Sequence, residues 1–349
     1  MGEGVAQRLT AIDLFCGAGG LSEGLRQAGF SVLGASDVNS LACRTYRSNH
    51  KRVKLWEGDV RRLSPRRVMK ELGLRSGDLG LLAACPPCQG FSRMRTRNGA
   101  QRNRDHRNDL VFEVVRFARS MRPVCVMLEN VPGLSRNRRF QRFRTSLESL
   151  GYRVVWAVLD TADFGVPQRR RRLVLLASRF GIPSFANASP RRSTVREAIG
   201  NLISPAHSKD ELHNYVTVRA PAIMSRIRAI PHDGGSRIAL GWQDQLACHV
   251  RSDGFKDVYG RMAWSEPAPT ITCGCINPSK GRFLHPNADR AVTLREAALL
   301  QTFPKTYRFP LDRGRYPVAE LIGNALPPEF IRRHAAGLRR LISGRVGGC

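Results

Sequence analysis

The stretch Thr10–Gly20, TAIDLFCGAGG, predicts how this chain folds. An apolar run, Thr10–Phe15, is followed by three glycines within four residues and then by a helically spaced segment, Leu21–Ala28. The order of strand, glycine turn and helix is typical of the first unit of an α/β sheet. Because ligands of such sheets bind at the carboxyl ends of the strands, the glycine turn is a candidate binding site.

Asp37 lies 20 residues beyond Gly17, at the spacing where an acidic side chain can bind ribose hydroxyls. This pair favours a nucleoside cofactor. The complete dinucleotide-binding pattern fails, since Ser22 stands at its last glycine position, and this argues against NAD or FAD. A tight turn that binds nothing is the alternative, because glycine pairs are common in turns.

The strand-and-turn pattern recurs along the chain. Leu79–Ala84 runs into CPPCQG, and Val124–Leu128 runs into ENVPG after a helical face that includes Val111, Val114 and Met121. Val154–Leu159 and Leu173–Ala177 are further candidate strands. This alternation predicts an α/β fold with a Rossmann-like, mostly parallel sheet flanked by helices.

The alternation of predicted strands and helices ends near residue 185. Helical patterns return at Leu294–Leu300 and Pro328–Leu341. We therefore expect a second, smaller, irregular domain. The predicted division is residues 1–185 with 315–349 for the first domain and residues 186–314 for the second.

Composition restricts the class of protein. Lys and Arg number 57 against 28 Asp and Glu, a formal net charge of +29 on 349 residues, and 42% of the residues are hydrophobic. A folded chain this basic favours a polyanionic partner, foremost nucleic acid, with affinity that falls steeply as salt rises. No apolar run reaches the 18 residues of a membrane span, and no signal-peptide pattern opens the chain, so we expect a cytoplasmic protein.

Cys85-Pro86-Pro87-Cys88 allows three interpretations: a redox pair, half a zinc site, or a loop that presents one nucleophilic thiolate. The tight pair Cys273-Gly274-Cys275 has an unusual spacing for zinc, so we expect no metal. The arginines that follow Cys88 would lower the pKa of a thiolate, which favours the nucleophile.

Two other segments carry candidate groups. Glu129 ends an apolar strand beside Asn130 and Val131. The run Gln168–Arg172, QRRRR, directly precedes a predicted strand, so alternate arginines would point to one face. An ordinary strand-end carboxylate and a solvated basic edge are the alternatives.

Taken together and in this order, the motifs resemble the C5-cytosine DNA methyltransferase family of bacterial type, across nearly the whole chain. DLFCGAGG resembles the cofactor loop of that family, PPCQGFS its catalytic loop, ENV its carboxylate strand and QRRRR its Gln-x-Arg-x-Arg motif. LREAALLQTFP from Leu294 and IGNALPP from Ile322 resemble its two carboxy-terminal motifs. The resemblance implies a class I methyltransferase sheet and a separate target-recognition domain.

The resemblance also implies catalytic roles. Cys88 would attack C6 of a flipped-out cytosine, so that C5 takes a methyl group from S-adenosylmethionine. Glu129 would bind N3 and the exocyclic amine, Arg172 the O2 oxygen, and Arg170 would orient Cys88 or the base. The implied cofactor residues are Phe15, Gly17, Gly19, Gly20, Asp37, Asp59, Pro87, Leu110 and Asn324. Asp37 departs from the family, which more often has Glu there.

The implied partner is duplex DNA, read in the major groove by the irregular domain. Candidate DNA contacts in the catalytic loop are Gln89, Ser92, Arg93, Arg95 and Arg97. Candidates in the irregular domain are Arg237, Gln243, Gln245 and Arg251. We expect a monomer that serves a restriction-modification or defence system, with a cognate restriction endonuclease as a further partner. The same chemistry on RNA and a catalytically silent nucleic-acid-binding protein are the competing hypotheses.

Overall fold

A computed structural model describes residues 9–87, 109–241 and 257–343. The described residues form two compact units. The first unit contains the residues up to Phe164, the segment Arg171–Ala188 and the residues from Leu326 onward. The second contains Gly165–Arg170 and Ser189–Ala325.

The first unit is built on a seven-stranded sheet with the order β3-β2-β1-β4-β5-β7-β6. Strands β1 to β5 pair in parallel, while β7 runs antiparallel to both of its neighbours, β5 and β6. The strands are β1 Thr10–Leu14, β2 Ser31–Asp37, β3 Lys54–Glu57, β4 Leu81–Ala84, β5 Cys125–Asn130, β6 Arg153–Asp160 and β7 Arg171–Ser178. The prediction of a mostly parallel, Rossmann-like sheet is confirmed.

The helices of the first unit cover the sheet. They are α1 Gly20–Gln27, α2 Ser40–Asn49, α3 Pro65–Leu72, α4 Val111–Met121, α5 Arg138–Ser149 and α10 Pro328–Ser343. Local sequence explains their ends: Ser64 accepts from Arg67 N before Pro65 starts α3, and Gly73 ends it in the left-handed conformation. The predicted face of α4, with Val111, Val114 and Met121, is buried.

α1 and α10 approach each other closely because Gly24 has no side chain. A Cβ atom on Gly24 would lie 2.4 Å from the Pro328 carbonyl oxygen and 2.6 Å from Ile331 Cβ. The carboxy-terminal helix thus packs directly on the helix that follows the glycine turn, although about 300 residues separate them in sequence.

The second unit has little regular structure. Its helices are α6 Val195–Ile199, α7 Pro221–Ala229, α8 Leu294–Leu300 and α9 Arg315–Asn324, and its strand pairing is limited, in the described residues, to isolated bridges such as Gln168 with Ala268. Arg261 is fully buried and donates to the carbonyl oxygens of Ile227, Ile230, His285 and Ala288. A buried guanidinium therefore organises loops that lack a sheet to bind their carbonyl groups.

β7 begins at Arg171, so Arg171 and Arg172 belong to the strand and Arg170 precedes it; that alternate arginines of QRRRR share one face stays a prediction. The segments Gly165–Arg170 and 315–325 pack with the second unit. The functional division at residues 185/186 and 314/315 stays a prediction. No helix in the described part of the chain is long and apolar enough to cross a membrane.

Candidate active site

One face of the sheet carries ionisable side chains at the carboxyl ends of its strands. Asp13 pairs with Ala35 on β2 and with Ala83 on β4, so residues two positions further along, Asp37 and Cys85, have side chains on the face of Asp13. The register thus places two carboxyl groups and a thiol side by side on three adjacent strands.

The same face continues across β5 and β7. Ala84 pairs with Leu128, which places Cys85 beside Glu129, and Glu129 pairs with Val174, two residues from Arg172. Arg172 Nε lies 2.8 Å from Glu129 Oε1, and these side chains are 15% and 10% exposed. The pair is therefore largely withdrawn from water, where its electrostatic attraction is strong.

Asn130 connects the ends of β4 and β5. Its Nδ2 donates to the Pro86 carbonyl oxygen at 3.0 Å, and its Oδ1 accepts from Val131 N at 2.8 Å. The exit of the CPPC segment from β4 is thereby held beside the strand that carries Glu129. Sequence reasoning noted Asn130 only as a neighbour of Glu129, and the ENV triplet at residues 129–131 was the signal available for it.

The glycine turn after β1 has the conformation that its sequence demands. Gly17 and Gly19 have positive φ angles of 54° and 95°, a region that glycine occupies at little cost, whereas Phe15 adopts a φ of 61° at a cost that its side chain does not relieve. Gly19 N donates to the Cys16 carbonyl oxygen at 2.9 Å and Gly20 begins α1. A Cβ atom on Gly17 would meet nothing within 4 Å, so space is open beside the turn.

Asp37 ties the end of β2 to this turn. Its Oδ2 accepts from Gly17 N and its Oδ1 accepts from Asn39 N, both at 2.8 Å. Burial raises the pKa of Asp37, and the hydrogen bonds from Asn39 and Gly17 oppose that rise. The short aspartate side chain is thus drawn onto the backbone of the glycine turn.

Asp59 follows β3 and pairs with Arg61. The carboxylate accepts from Arg61 N at 3.0 Å and from its guanidinium, and these hydrogen bonds lower the pKa of Asp59. Asp59 therefore offers a charged acceptor at the end of the strand next to β2.

Asp13 is fully buried and belongs to a hydrogen-bond chain. Ser22 Oγ donates to Asp13 Oδ2 at 2.7 Å and lies 2.7 Å from the Tyr46 hydroxyl oxygen. Burial raises the pKa of Asp13 to about 7, opposed by the bond from Ser22. Ser22, which breaks the dinucleotide-binding pattern, here supplies the partner of a buried carboxyl group.

In the second unit, Arg170 and Asn324 share a polar junction. Arg170 Nη1 donates to the Ile271 carbonyl oxygen at 2.9 Å and Nη2 to the Gly323 carbonyl oxygen at 3.0 Å. Asn324 Oδ1 accepts from Cys273 Sγ at 3.3 Å. Gln301 also donates to the end of α9, at the Ile322 carbonyl oxygen. Sequence reasoning missed Gln301, because a buried glutamine carries no local sequence signal.

Comparison with known proteins identifies the family. The family model described as C-5 cytosine-specific DNA methylase matches residues 9–339. The Type II methylase M.HgiDII of Herpetosiphon aurantiacus is 36% identical over 351 residues, which cover 95% of this chain and 96% of that protein. The Type II methyltransferase M.AgeI of Thalassovita gelatinovora is 29% identical, with 96% and 100% covered.

The chain belongs to the C-5 cytosine-specific DNA methylase family. It is a DNA (cytosine-5)-methyltransferase. A solved structure described as a DNA modification methyltransferase encoded within an E. coli prophage has the same fold, with a TM-score of 0.72, 22% identity and coverage of 96% of this chain and 99% of that one. The Dnmt2 methyltransferase of S. pombe gives a TM-score of 0.64 at 17% identity, covering 98% and 100%.

The structure describes some of the predicted site residues of this methyltransferase and not others. Cys88, Gln89, Ser92, Arg93, Arg95, Arg97, Gln243, Gln245 and Arg251 lie outside the described residues. All the cofactor candidates lie within the described residues, and Leu110 packs half-buried against the core at the start of α4. Within the ranges that the structure covers, no group of three His, Cys, Asp or Glu side chains is arranged to hold a metal ion.

Arg237, a predicted base-reading residue, lies in a short helical turn of the second unit and is only 4% exposed. A buried guanidinium would have to move to reach a base edge. Its role in DNA recognition stays a prediction.

Proposed function

We propose that this methyltransferase transfers a methyl group from S-adenosylmethionine to C5 of a flipped-out cytosine in a specific duplex DNA sequence, through a covalent bond between Cys88 and C6. The observation that carries the proposal is the Glu129–Arg172 pair, held at the carboxyl end of the sheet beside the segment that leads to Cys88. A carboxyl group and a guanidinium at one site match the hydrogen-bonding edge of cytosine.

The glycine turn and the acidic side chains around it fit a nucleoside cofactor. The space beside Gly17 is open, and Asp37 and Asp59 offer acceptors at neighbouring strand ends. We assign S-adenosylmethionine to Phe15, Gly17, Gly19, Gly20, Asp37, Asp59, Pro87, Leu110 and Asn324, with Asp37 toward the ribose and Asp59 toward the adenine amine. When bound, the cofactor supplies an electrophilic methyl group.

The residues of this chain activate the base. The Cys88 thiolate forms a bond to C6, and the electron pair of the C5–C6 double bond makes C5 a nucleophile for the methyl group. Glu129 takes up a proton when the base binds, donates it in a hydrogen bond to N3 and accepts one from the exocyclic amine, while Arg172 binds O2 as negative charge develops. An ordered water then removes the C5 proton, the C5–C6 double bond re-forms and Cys88 leaves as thiolate.

Arg170 acts by position in this proposal. Because its guanidinium is bonded to the carbonyl oxygens of Ile271 and Gly323, it fixes the end of α9, which carries Asn324, and orders the segment that leads into β7. Its influence on Cys88 or the base would pass through that backbone.

Duplex DNA is the proposed partner, since the target base must leave the helix before Cys88 can reach C6. Gln89, Ser92, Arg93, Arg95 and Arg97 would contact DNA from the catalytic loop, and Arg237, Gln243 and Arg251 from residues 186–314. The Type II names of the relatives favour a restriction-modification role with a cognate endonuclease, in a monomer associated with the nucleoid.

Methyl transfer from labelled S-adenosylmethionine to duplex DNA and, in parallel, to tRNA tests the proposal. We expect 5-methyldeoxycytidine in DNA alone, loss of transfer in Cys88→Ser, and retention of transfer in the control Cys125→Ser at the other end of β5. Label in tRNA alone would show that the substrate is RNA and not DNA. Full activity of Cys88→Ser would refute the covalent step.

A further inference from the structure

Cys85 occupies a central place in the row of ionisable side chains. It directly follows β4, and the register sets it beside Glu129 on one side and on the face of Asp13 on the other. Its backbone N donates to the Leu14 carbonyl oxygen at 3.2 Å, which continues the ladder with β1 beyond the last residue of β4. The backbone of β1 therefore fixes Cys85 at the end of β4.

The surroundings of Cys85 keep its sulfur protonated. Burial raises the pKa of the Cys85 thiol well above its usual value, and the charges of Glu129 and Asp13 and a hydrogen bond to Glu129 raise it further. The charge of Arg172 opposes this rise and is the smallest of these effects. A thiol between two carboxyl groups is a hydrogen-bond donor and a poor nucleophile.

Glu129 consequently has a neighbour on each side. Arg172 on β7 approaches one oxygen of its carboxylate at 2.8 Å, and Cys85 lies on the opposite side, at the end of β4. A carboxylate restrained from both adjacent strands has a defined orientation before any base arrives, which is the condition for effective electrostatic catalysis.

We propose that Cys85 is a positioning residue for methyl transfer, and that its thiol donates a hydrogen bond that holds the Glu129 carboxylate toward the target base. The proposal rests on the proposed function, because Glu129 is taken to bind the cytosine edge. It also separates the two cysteines of the CPPC segment: Cys85 orients the carboxylate, and Cys88 performs the attack.

The test compares Cys85→Ala, which removes the donor, with Cys85→Ser, which keeps one. We expect Cys85→Ala to lower kcat about tenfold with the KM for S-adenosylmethionine unchanged, and Cys85→Ser to stay within about threefold of the unaltered protein. Cys125→Ala is the matched control, since it removes a buried thiol from the opposite end of β5.

Two readouts separate positioning from simple packing. In a Glu129→Gln background the effect of Cys85→Ala should shrink below about twofold, because its acceptor is already changed. The S–H stretching band that disappears in Cys85→Ser should shift when Glu129 becomes Gln, a measurement that remains valid if Cys85→Ala fails to fold.

Equal defects in Cys85→Ala and Cys85→Ser, a tenfold effect that persists beside Glu129→Gln, or an unshifted S–H band would each overturn the role of Cys85. An unaltered protein that methylates no DNA would instead contradict the proposed function. The two failures are therefore distinguishable.

Discussion

Arg172 and Glu129 form an ion pair across two antiparallel strands, with 2.8 Å between Nε and Oε1, at a position where both side chains are mostly buried. The two residues are 43 positions apart in the chain. Either charge alone would be buried without a counter-ion in a poorly solvated site, and the other residue supplies that counter-ion. The pair therefore links stability to the geometry of the proposed catalytic carboxylate.

Breaking this pair from one side should destabilise the fold. Arg172→Met leaves the Glu129 carboxylate buried without its cation, and we expect the free energy of unfolding to fall by about 3 kcal/mol. Adding Glu129→Gln should recover part of that loss while methyl transfer stays at least about a hundredfold low. Urea denaturation and single-turnover methylation measure the two effects. Recovery of activity together with stability would argue that Glu129 has only a structural role.

Asp37 should couple loop stability to cofactor binding. Asp37→Ala removes the acceptor for Gly17 N and Asn39 N, so we expect a loss of about 2 kcal/mol in the free energy of unfolding and weaker binding of S-adenosylmethionine. Asp37→Asn keeps one oxygen as an acceptor. Its stability and its affinity for S-adenosylmethionine should therefore be between those of the unaltered protein and those of Asp37→Ala. Calorimetric titration with S-adenosylmethionine provides the check. Unchanged affinity in Asp37→Ala would remove Asp37 from the cofactor site.

The buried carboxyl group of Asp13 should make stability depend on pH. Its pKa is about 7 in the folded protein against about 3.9 in the unfolded chain, so the folded state retains a proton that the unfolded state loses. Stability is then full below about pH 4 and falls as pH rises to about 7. Relative to Asp13→Asn, the unaltered protein should lose roughly 4 kcal/mol between pH 4 and pH 8.

Ser22→Ala provides the paired variant for this titration. Ser22 donates to Asp13 and thereby lowers its pKa, so removing the hydroxyl should move the fall in stability to higher pH. Chemical denaturation at several pH values measures both effects. A pH profile common to the unaltered protein and Asp13→Asn would show that Asp13 stays ionised in the fold.

The contact between α1 and α10 should tolerate no side chain at Gly24. Gly24→Ala places Cβ against the Pro328 carbonyl oxygen and Ile331, and we expect a net loss of about 2 kcal/mol despite a gain of about 1 kcal/mol in helix propensity. Gly241→Ala is the control, since a Cβ there meets nothing within 4 Å. Equal melting temperatures for the two variants would mean that the helices separate without cost.

Local pattern was sufficient where an element is buried on both faces and is followed within three residues by glycine or proline. β1, β4 and β5 have continuous apolar runs, and the positions of the glycine turn, Glu129 and the CPPC segment follow from them. β2 was not predicted as a strand, because Ser, Gly and Ala occupy it. Gly34 is required there, since a Cβ would lie 2.4 Å from the ring of Trp56 on β3.

The amino-acid sequence by itself determined the α/β class, the mostly parallel sheet, the family and the candidate groups, because each depends on residues that are close in the chain. Only the tertiary structure decided that β7 lies antiparallel between β5 and β6, and hence that Arg172 meets Glu129. It also decided that Arg170 joins the second unit and that Asp37 binds the turn. Strand direction, and the partner that a buried charge finds, depend on packing between distant segments, which local periodicity does not encode.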